Sequence, residues 1–203
     1  MTATVATYAE LAARILARPS SGARLVAVDG RGGAGKSVFA ERLALALGGA
    51  PVVPTDDFAT GEPGVEWWPR LEREVAMPLA HGQPARYRRY DWPSRTLAEW
   101  REIPVAPAVV IEGVSSARRA AAPLLAFSVW VHAPRFVRLA RGLERDGPEA
   151  LPDWERWIAE EDAHFAADGT ATRCDLLVDG APDVAHDPER EFVGLDVSDR
   201  AAL

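Results

Sequence analysis

Short apolar runs alternate along this chain with longer segments in which apolar residues recur at helical spacing. The runs that predict buried strands are 24–29 (RLVAVD), 51–55 (PVVPT), 107–112 (PAVVIE), 126–132 (AFSVWVH) and 175–178 (DLLV). The segments that predict helices are 8–17, 36–47, 68–80, 135–145 and 153–167. This alternation indicates an α/β fold with helices on both faces of a parallel sheet. Segment 83–92 is predicted to be extended, and the charged tail from Ala181 is predicted to lie on the surface.

Composition and charge restrict the class of protein. The length of 203 residues fits one domain over 1–203. A net charge of -7 gives no general attraction for nucleic acid or anionic membranes, so any anion site must be local. No run approaches the roughly 20 apolar residues of a membrane span, and the single cysteine, Cys174, fits a reducing compartment. We therefore expect a cytoplasmic protein, monomer or homodimer, that binds neither nucleic acid nor membrane.

A complete phosphate-binding motif follows the first predicted strand. Residues 30–37 (GRGGAGKS) fit G-x-x-x-x-G-K-[ST], and a predicted helix comes next. Glycines let successive N–H groups turn toward one anion, and the helix adds its positive end. Lys36 would neutralise the β- and γ-phosphates, and the Ser37 hydroxyl would ligate Mg²⁺, which predicts a site for ATP and Mg²⁺. The residues expected to contact the nucleotide are Gly30, Gly32, Gly33, Ala34, Gly35, Lys36, Ser37 and Val38.

Carboxylates follow two other predicted strands, at the edge where ligands bind in open α/β sheets. Glu112 ends the third strand and would hold the water shell of Mg²⁺; the alternative is a strand-ending carboxylate that faces solvent. Asp56 and Asp57 follow the second strand, where one carboxylate would take the proton of an acceptor hydroxyl and Asp57 would face the acceptor. Solvated turn aspartates are the alternative for this pair.

Arginines and aromatic residues supply two further candidate surfaces. Arg138, Arg141 and Arg145 share one helix face and would close over the triphosphate as a lid at about 135–150. A solvated basic helix is the alternative. Segment 86–92 (RYRRYDW) would stack on an acceptor and bind its acidic groups, or it forms a surface hairpin whose arginines cover aromatic faces. Trp154, Trp157 and Phe165 have helical spacing and are predicted to pack.

These elements together resemble the uridine kinase and phosphoribulokinase group of P-loop kinases. The resemblance runs from about residue 25 to residue 180 and rests on VDGRGGAGKS, TDDF, RYDW, VVIEG, RGLERD and DLLVDG in this order. The first and fourth motifs are shared by many P-loop proteins, whereas the order and spacing of all six are more specific. The resemblance implies a five-stranded parallel sheet of order 2-3-1-4-5, a small helical lid and an acceptor-binding segment at about 59–95.

The resemblance also implies roles for individual residues. Asp56 matches the aspartate that acts as the base in the group. Arg141, Arg145 and Asp146 match the R-x-x-x-R-D arrangement of the lid, so both arginines are assigned to catalysis. The acceptor pocket of the group includes a Tyr-Asp-aromatic segment, which is matched by Tyr90, Asp91 and Trp92.

Two departures from the group concern the acceptor. Uridine kinases have a pyrimidine-reading histidine three residues after the aromatic of that segment, and this chain has Arg95 there. They also have an upstream aspartate for the ribose hydroxyls, for which Glu66 is the nearest substitute. Arginine offers only donors and a permanent charge. We therefore expect Arg95 to bind the acceptor or an internal partner such as Asp91 or Glu99, and uridine and cytidine to be poor substrates.

Together these patterns predict an ATP-dependent kinase that phosphorylates a hydroxyl of a small molecule. The arginines of segment 86–92 favour an acidic acceptor. The alternative is a regulatory nucleotide-binding ATPase module that controls a protein partner. A guanine-reading N-K-x-D motif is absent from the sequence, so a GTPase is not expected. The acidic balance and short length disfavour an ATPase that acts on nucleic acid.

Overall fold

A seven-stranded sheet forms the centre of the molecule, in a computed structural model that describes residues 3–58 and 67–196. Its strands are β1 (Ala3–Thr7), β2 (Arg24–Asp29), β3 (Val52–Pro54), β6 (Ala108–Glu112), β7 (Leu125–His132), β8 (Leu176–Asp179) and β9 (Glu191–Leu195). They lie in the order β1-β9-β8-β7-β2-β6-β3. A separate antiparallel hairpin is formed by β4 (Ala85–Asp91) and β5 (Thr96–Ile103).

The five predicted strands are all present and mutually parallel. The pairs β2–β6, β2–β7, β3–β6 and β7–β8 are each parallel. Numbered among the five predicted strands alone, their order is 2-3-1-4-5, which confirms the order implied by the resemblance. Because parallel strands end at one edge of a sheet, the segments that follow β2, β3 and β6 meet there.

Two antiparallel strands extend the sheet beyond the prediction. β9 pairs with β8, and β1 pairs with β9 from Ala3 opposite Leu195 to Thr7 opposite Glu191. The prediction that the tail from Ala181 lies on the surface is therefore wrong for β9, whose Phe192 and Val193 are buried. Both strands are short and flanked by polar residues, so their partners in the sheet rather than their own apolar pattern decide their conformation.

Helices cover both faces of the sheet. They are α1 (Tyr8–Leu16), α2 (Lys36–Ala46), α3 (Trp68–Leu71), α4 (Met77–Ala80), α5 (Arg135–Asp146), α6 (Leu151–Asp168) and α7 (Thr170–Arg173). Thr7 and Glu10 form a capping box that begins α1. The predicted helix at 68–80 is divided by a π-helical stretch, Glu72–Ala76. Pro78 cannot donate a backbone hydrogen bond to this stretch, which is the usual reason for such a break.

Side chains on the two faces of strand β2 belong to two different hydrophobic cores. Val26 and Val28 of β2 join the core under α1 and α2, whereas Leu25 joins the core under α3 and α4. Such alternation follows from the two-residue period of a strand. Among the described residues, no helix is both long and apolar enough to cross a membrane.

Candidate functional site

The P-loop, residues 30–37, joins β2 to α2 and needs its glycines. Gly30, Gly33 and Gly35 have φ of +148°, +75° and +98°, values that side chains rarely tolerate. A Cβ at Gly33 would lie 2.9 Å from Cα of Arg138, so the lid helix approaches this glycine closely. Gly35 is the N-cap of α2 and has no side chain to cap it, so the N–H groups of the first turn can face an anion.

The two predicted metal ligands lie in contact. Ser37 Oγ donates a hydrogen bond to Glu112 Oε1 at 3.3 Å. β2 and β6 are neighbours, with Val28 opposite Glu112, so the end of β6 comes beside the P-loop. Burial raises the pKa of the Glu112 carboxyl, against the nearby charge of Lys36. A hydroxyl and a carboxylate at this separation suit a hard divalent cation such as Mg²⁺, so the residues fit the predicted metal.

Lys36 is nearly buried and turns back onto the loop. Its Nζ donates to the carbonyl oxygen of Arg31 at 3.0 Å. The same sequence contains 23 basic residues, and Lys36 is the only lysine among them. A lysine presents a compact charge on a flexible stem, so the ammonium can leave a carbonyl for a stronger acceptor.

The neighbouring aspartates after β3 point to different surroundings. The 3-10 turn Thr55–Phe58 leaves Asp56 exposed on the cleft. Asp57 is 7% exposed and accepts the hydroxyl of Tyr87 at 2.8 Å, with the Arg101 guanidinium 3.1 Å away. Burial raises the pKa of Asp57, and the Tyr87 hydrogen bond opposes this rise. Asp57 is not among the residues that line the cleft, so the structure separates it from the position predicted for acceptor binding.

The lid helix α5 lies against the P-loop. Arg141 donates to the carbonyl oxygens of Gly33 at 3.2 Å and Gly180 at 3.0 Å. Arg145 forms a two-bond ion pair with Asp146, at 2.7 Å and 2.9 Å. Both arginines line the cleft, as the lid hypothesis requires. Of the three arginines of this face, Arg138 is buried, whereas Arg141 and Arg145 are exposed, so their role in a lid stays a prediction.

The predicted acceptor segment forms the β4–β5 hairpin. Tyr90 is buried and meets the ring of Trp92 edge-on at 5.3 Å. Asp91 accepts two hydrogen bonds from Ser94 and pairs with Arg89, contacts that lower the pKa of Asp91. Of these residues, Trp92 alone lines the cleft, and it is 58% exposed. Residues 59–66 of the segment, Glu66 included, lie outside the described residues.

Arg95 lies at the tip of this hairpin, away from the residues that line the cleft. It is exposed, with φ of +53°. The two internal partners expected for it are bonded to other residues: Asp91 to Arg89 and Ser94, and Glu99 to Arg89. The structure describes no ion pair of Arg95 with either carboxylate, and the expected contact with an acceptor stays a prediction.

The hairpin arginines are held by the protein itself. Arg86 lies 4.2 Å from the centre of the Trp100 ring. Arg88 donates to the carbonyl oxygen of Ala98 at 2.8 Å. Arg89 pairs with Glu99 at 2.7 Å. These contacts match the surface-hairpin alternative, in which arginines cover aromatic faces and satisfy strand carbonyls.

One cleft connects these elements, with a volume of about 1390 Å³. It is larger than a typical pocket for one small ligand, so it has room for two. At one end, on the β3–β6 side of the P-loop, the cleft is lined by Asp56, Trp92 and Glu112. At the other end, on the β8–β9 side, it is lined by Asp179, Gly180, Ala181, Pro182, His186, Pro188 and Phe192.

Sequence reasoning missed two buried carboxylates that contact the P-loop. Asp29 accepts backbone N–H groups from Gly30, Ser115 and Ala117 at 2.6–2.8 Å, which joins the P-loop to the loop after Glu112. Burial raises the pKa of Asp29 to about 7 despite these bonds. Its position at the end of a buried strand was the available signal. The second carboxylate is Glu161, which lies in an acidic helix, where nothing in the pattern distinguishes it.

Glu161 holds the P-loop from α6. Its Oε1 accepts the N–H of Gly32 at 2.7 Å, and its Oε2 lies 3.5 Å from Nη1 of Arg138. Both side chains are nearly inaccessible, at 1% exposure for Glu161 and 4% for Arg138. Burial raises the pKa of Glu161 and lowers the pKa of Arg138, which is the cost of keeping this pair away from water. Trp154 and Phe165 of α6 are buried, as predicted.

Comparison with known proteins gives structural matches only. No protein-family model matches the sequence, and no curated protein matches it. A provisionally assigned fructose transport system kinase from Silicibacter sp. TM1040 is 23% identical, with a TM-score of 0.67 over 79% of this chain and 95% of that one. A possible uridine kinase from Bacillus stearothermophilus is 19% identical, with a TM-score of 0.62 over 84% of this chain and 96% of that one. These likenesses show that the chain has the fold of the P-loop kinases.

Proposed function

We propose that this protein transfers a phosphoryl group from ATP to a hydroxyl of an uncharged small molecule. The observation that carries the proposal is that three groups face one cleft: the P-loop, the Ser37–Glu112 contact and the exposed carboxylate of Asp56. One structural neighbour is described as a fructose transport system kinase and the other as a possible uridine kinase, which supports the reaction class and leaves the acceptor open.

The phosphate half of the cleft, formed by the P-loop, Glu112 and the lid arginines Arg141 and Arg145, supplies charge where the transferred group is most negative. Lys36 would exchange the carbonyl of Arg31 for the terminal phosphates, because a phosphate is the stronger acceptor. Arg141 and Arg145 would add positive charge from the lid. Ser37 and Glu112 would hold Mg²⁺, which supplies a cation that neutralises charge on the phosphates.

The acceptor half supplies a carboxylate for the hydroxyl. Asp56 follows β3 directly and is exposed on the cleft, so a hydroxyl that enters from solvent can reach it. Its carboxylate would accept the proton of the hydroxyl and orient the oxygen toward the phosphate. Trp92 offers a ring face beside it, on which the apolar side of a sugar-like or heterocyclic compound would stack.

Charge in the acceptor half favours an uncharged acceptor over the acidic one that the sequence suggested. Asp56 lines this half, and Arg88, Arg89 and Arg101 of the hairpin are already bonded to protein groups. Residues 59–66 add two glutamates and no basic residue to the sequence. An anionic acceptor would meet the Asp56 carboxylate here, whereas Arg95, the hairpin arginine without a described partner, does not line the cleft.

Acceptor-dependent release of ADP tests the proposal. Neutral and acidic members of matched pairs, such as a polyol and its aldonic acid, should be compared together with uridine and cytidine. We expect a large rise in ADP release with a neutral compound, and kcat/KM below about 10⁴ M⁻¹s⁻¹ for uridine and cytidine. A rate that no small hydroxyl compound raises would favour the regulatory ATPase, and a preference for the acids would refute only the proposed charge of the acceptor.

The single lysine gives an independent test of nucleotide binding. An amine-reactive acylating reagent can modify Lys36 and the N-terminal amine, because the chain has no other primary amine. ATP with Mg²⁺ should protect Lys36 and leave labelling of the N-terminus unchanged, as measured by peptide mass spectrometry. Equal labelling of Lys36 with and without ATP would contradict binding at the P-loop.

A further inference from the structure

The two buried side chains of opposite charge hold one residue of the P-loop. Glu161 accepts the N–H of Gly32 at 2.7 Å, and Arg138 donates to the carbonyl oxygen of the same residue at 3.4 Å. The two side chains are 3.5 Å apart, so they restrain each other as well as the loop. Arg138 is also bonded to the carbonyl oxygen of Ala133 at 3.2 Å, which fixes its guanidinium at the start of the lid helix.

The peptide between Gly32 and Gly33 is planar and trans, so its carbonyl and its N–H point in opposite directions. Arg138 holds the carbonyl of Gly32, which directs the N–H of Gly33 to the other side of the peptide. In the part of the chain that the structure describes, this N–H makes no hydrogen bond. A free N–H group in this loop is the kind of donor that binds a phosphate oxygen.

We propose that Glu161 and Arg138 are positioning residues that aim the N–H of Gly33 at the phosphate of the nucleotide. This inference rests on nucleotide binding by the P-loop, as part of the proposed function. A buried ion pair contributes little to stability compared with apolar side chains of equal volume, so its use here indicates a need for fixed geometry. The pair packs tightly on Gly32, since a Cβ there would lie 3.1 Å from Glu161 Oε1 and 3.2 Å from Trp154.

Loss of the positioning pair should weaken the binding of ATP and leave the binding of the acceptor unchanged. Glu161→Gln keeps an oxygen for the N–H of Gly32 but removes the charge that holds Arg138 in place. We expect the Kd for ATP, measured by calorimetry, to rise about tenfold, the scale of one charge-assisted hydrogen bond. The KM for the acceptor should stay within about twofold, because neither side chain lines the acceptor half. A general loss of structure would change both constants and the melting temperature together.

Two further variants make the test decisive. Glu160→Gln removes the same charge from an exposed position of the same helix and should leave ATP binding unchanged. The double variant Glu161→Gln/Arg138→Gln should bind ATP about as weakly as each single variant, because both act through one peptide. Arg138→Lys keeps the charge but loses the planar guanidinium, so it should also weaken ATP binding. This variant supplies the test if Glu161→Gln does not fold.

Wild-type affinity for ATP in folded Glu161→Gln, or tighter binding, would overturn the positioning role. Tighter binding would mean that the carboxylate competes with the phosphates. A protein that binds ATP but phosphorylates no acceptor would refute the proposed kinase activity and leave this inference standing. If the wild-type protein bound no ATP, both would be refuted.

Discussion

The two halves of the cleft are built in opposite ways. On the phosphate side, the contacts of the P-loop come from buried groups, among them Glu161, Arg138 and Asp29, whose partners are fixed within the protein. On the acceptor side, the residues that face the cleft are exposed, and Asp56 and Trp92 are the main examples. Buried bonded groups resist substitution, whereas exposed ones can change at little cost in stability. Under the proposed function, the fold would therefore dictate the phosphate chemistry and leave the choice of acceptor to a few surface residues.

The largest effect on kcat should come from a substitution in the phosphate half. Lys36→Ala removes the one side-chain cation that the P-loop motif supplies to the terminal phosphates, so kcat should fall on the order of 10³-fold. Lys36→Arg tests whether charge alone suffices; its rigid, planar group should restore little activity. Folding of both variants should be verified by their melting temperatures. Wild-type turnover in folded Lys36→Ala would remove the P-loop from the mechanism.

The next largest effect should come from the acceptor half. Asp56→Asn cannot accept the proton of a hydroxyl, so kcat should fall about 10²-fold or more, with the Kd for ATP nearly unchanged. Asp57→Asn is the matched control: its carboxylate is bonded to Tyr87 and Arg101, so its loss should lower the melting temperature more than kcat. If Asp57→Asn lowered kcat and Asp56→Asn did not, the assignment of Asp56 as the proton acceptor would be wrong.

A smaller effect, on the Mg²⁺ concentration that the protein requires, should distinguish binding of the metal from binding of the nucleotide. Glu112→Gln replaces a carboxylate with a weaker ligand, so the Mg²⁺ concentration for half-maximal activity should rise about tenfold. The variant should regain activity at saturating Mg²⁺. An unchanged requirement for Mg²⁺, or activity that a chelator does not reduce, would place the metal elsewhere.

The smallest effects should distinguish two residues of the hairpin. Trp92→Ala removes a ring from the cleft and should raise the KM of the acceptor about fivefold to tenfold, the scale of one stacking contact. Arg95→Ala should change the KM of an uncharged acceptor by less than about twofold, because Arg95 lies at the exposed tip. A larger effect from Arg95 would show that the hairpin bends over the acceptor during turnover.

The sequence predicted the sheet well where the strands carry their own signal. The five parallel strands are apolar enough to be recognised individually, and resemblance supplied their order. β1 and β9 were missed because ATVAT and EFVGL become strands by pairing with each other and with β8. The division of the helix at 68–80 was missed as well, since periodicity does not reveal how a backbone accommodates Pro78.

In the candidate site, motifs were predictable and tertiary partners were not. The contact between Ser37 and Glu112 follows from strand order, because parallel neighbours end together. Asp56 and Asp57 are adjacent in sequence, but a 3-10 turn directs one to the cleft and the other to the hairpin. Glu161 looked like any charge on an acidic helix, and its role depends on a loop 129 residues away.

The pairing of β1 with β9 has a consequence for biosynthesis. β1 precedes the P-loop along the chain, yet its partner β9 follows every other strand of the sheet. Phe192 of β9 also packs on Tyr8 of α1 and Phe39 of α2, at ring separations of 5.4 Å. The first helix and the helix after the P-loop can therefore make this apolar contact only when β9 has left the ribosome. A nascent chain arrested before β9 should expose the rings of Tyr8 and Phe39, because it lacks the ring of Phe192.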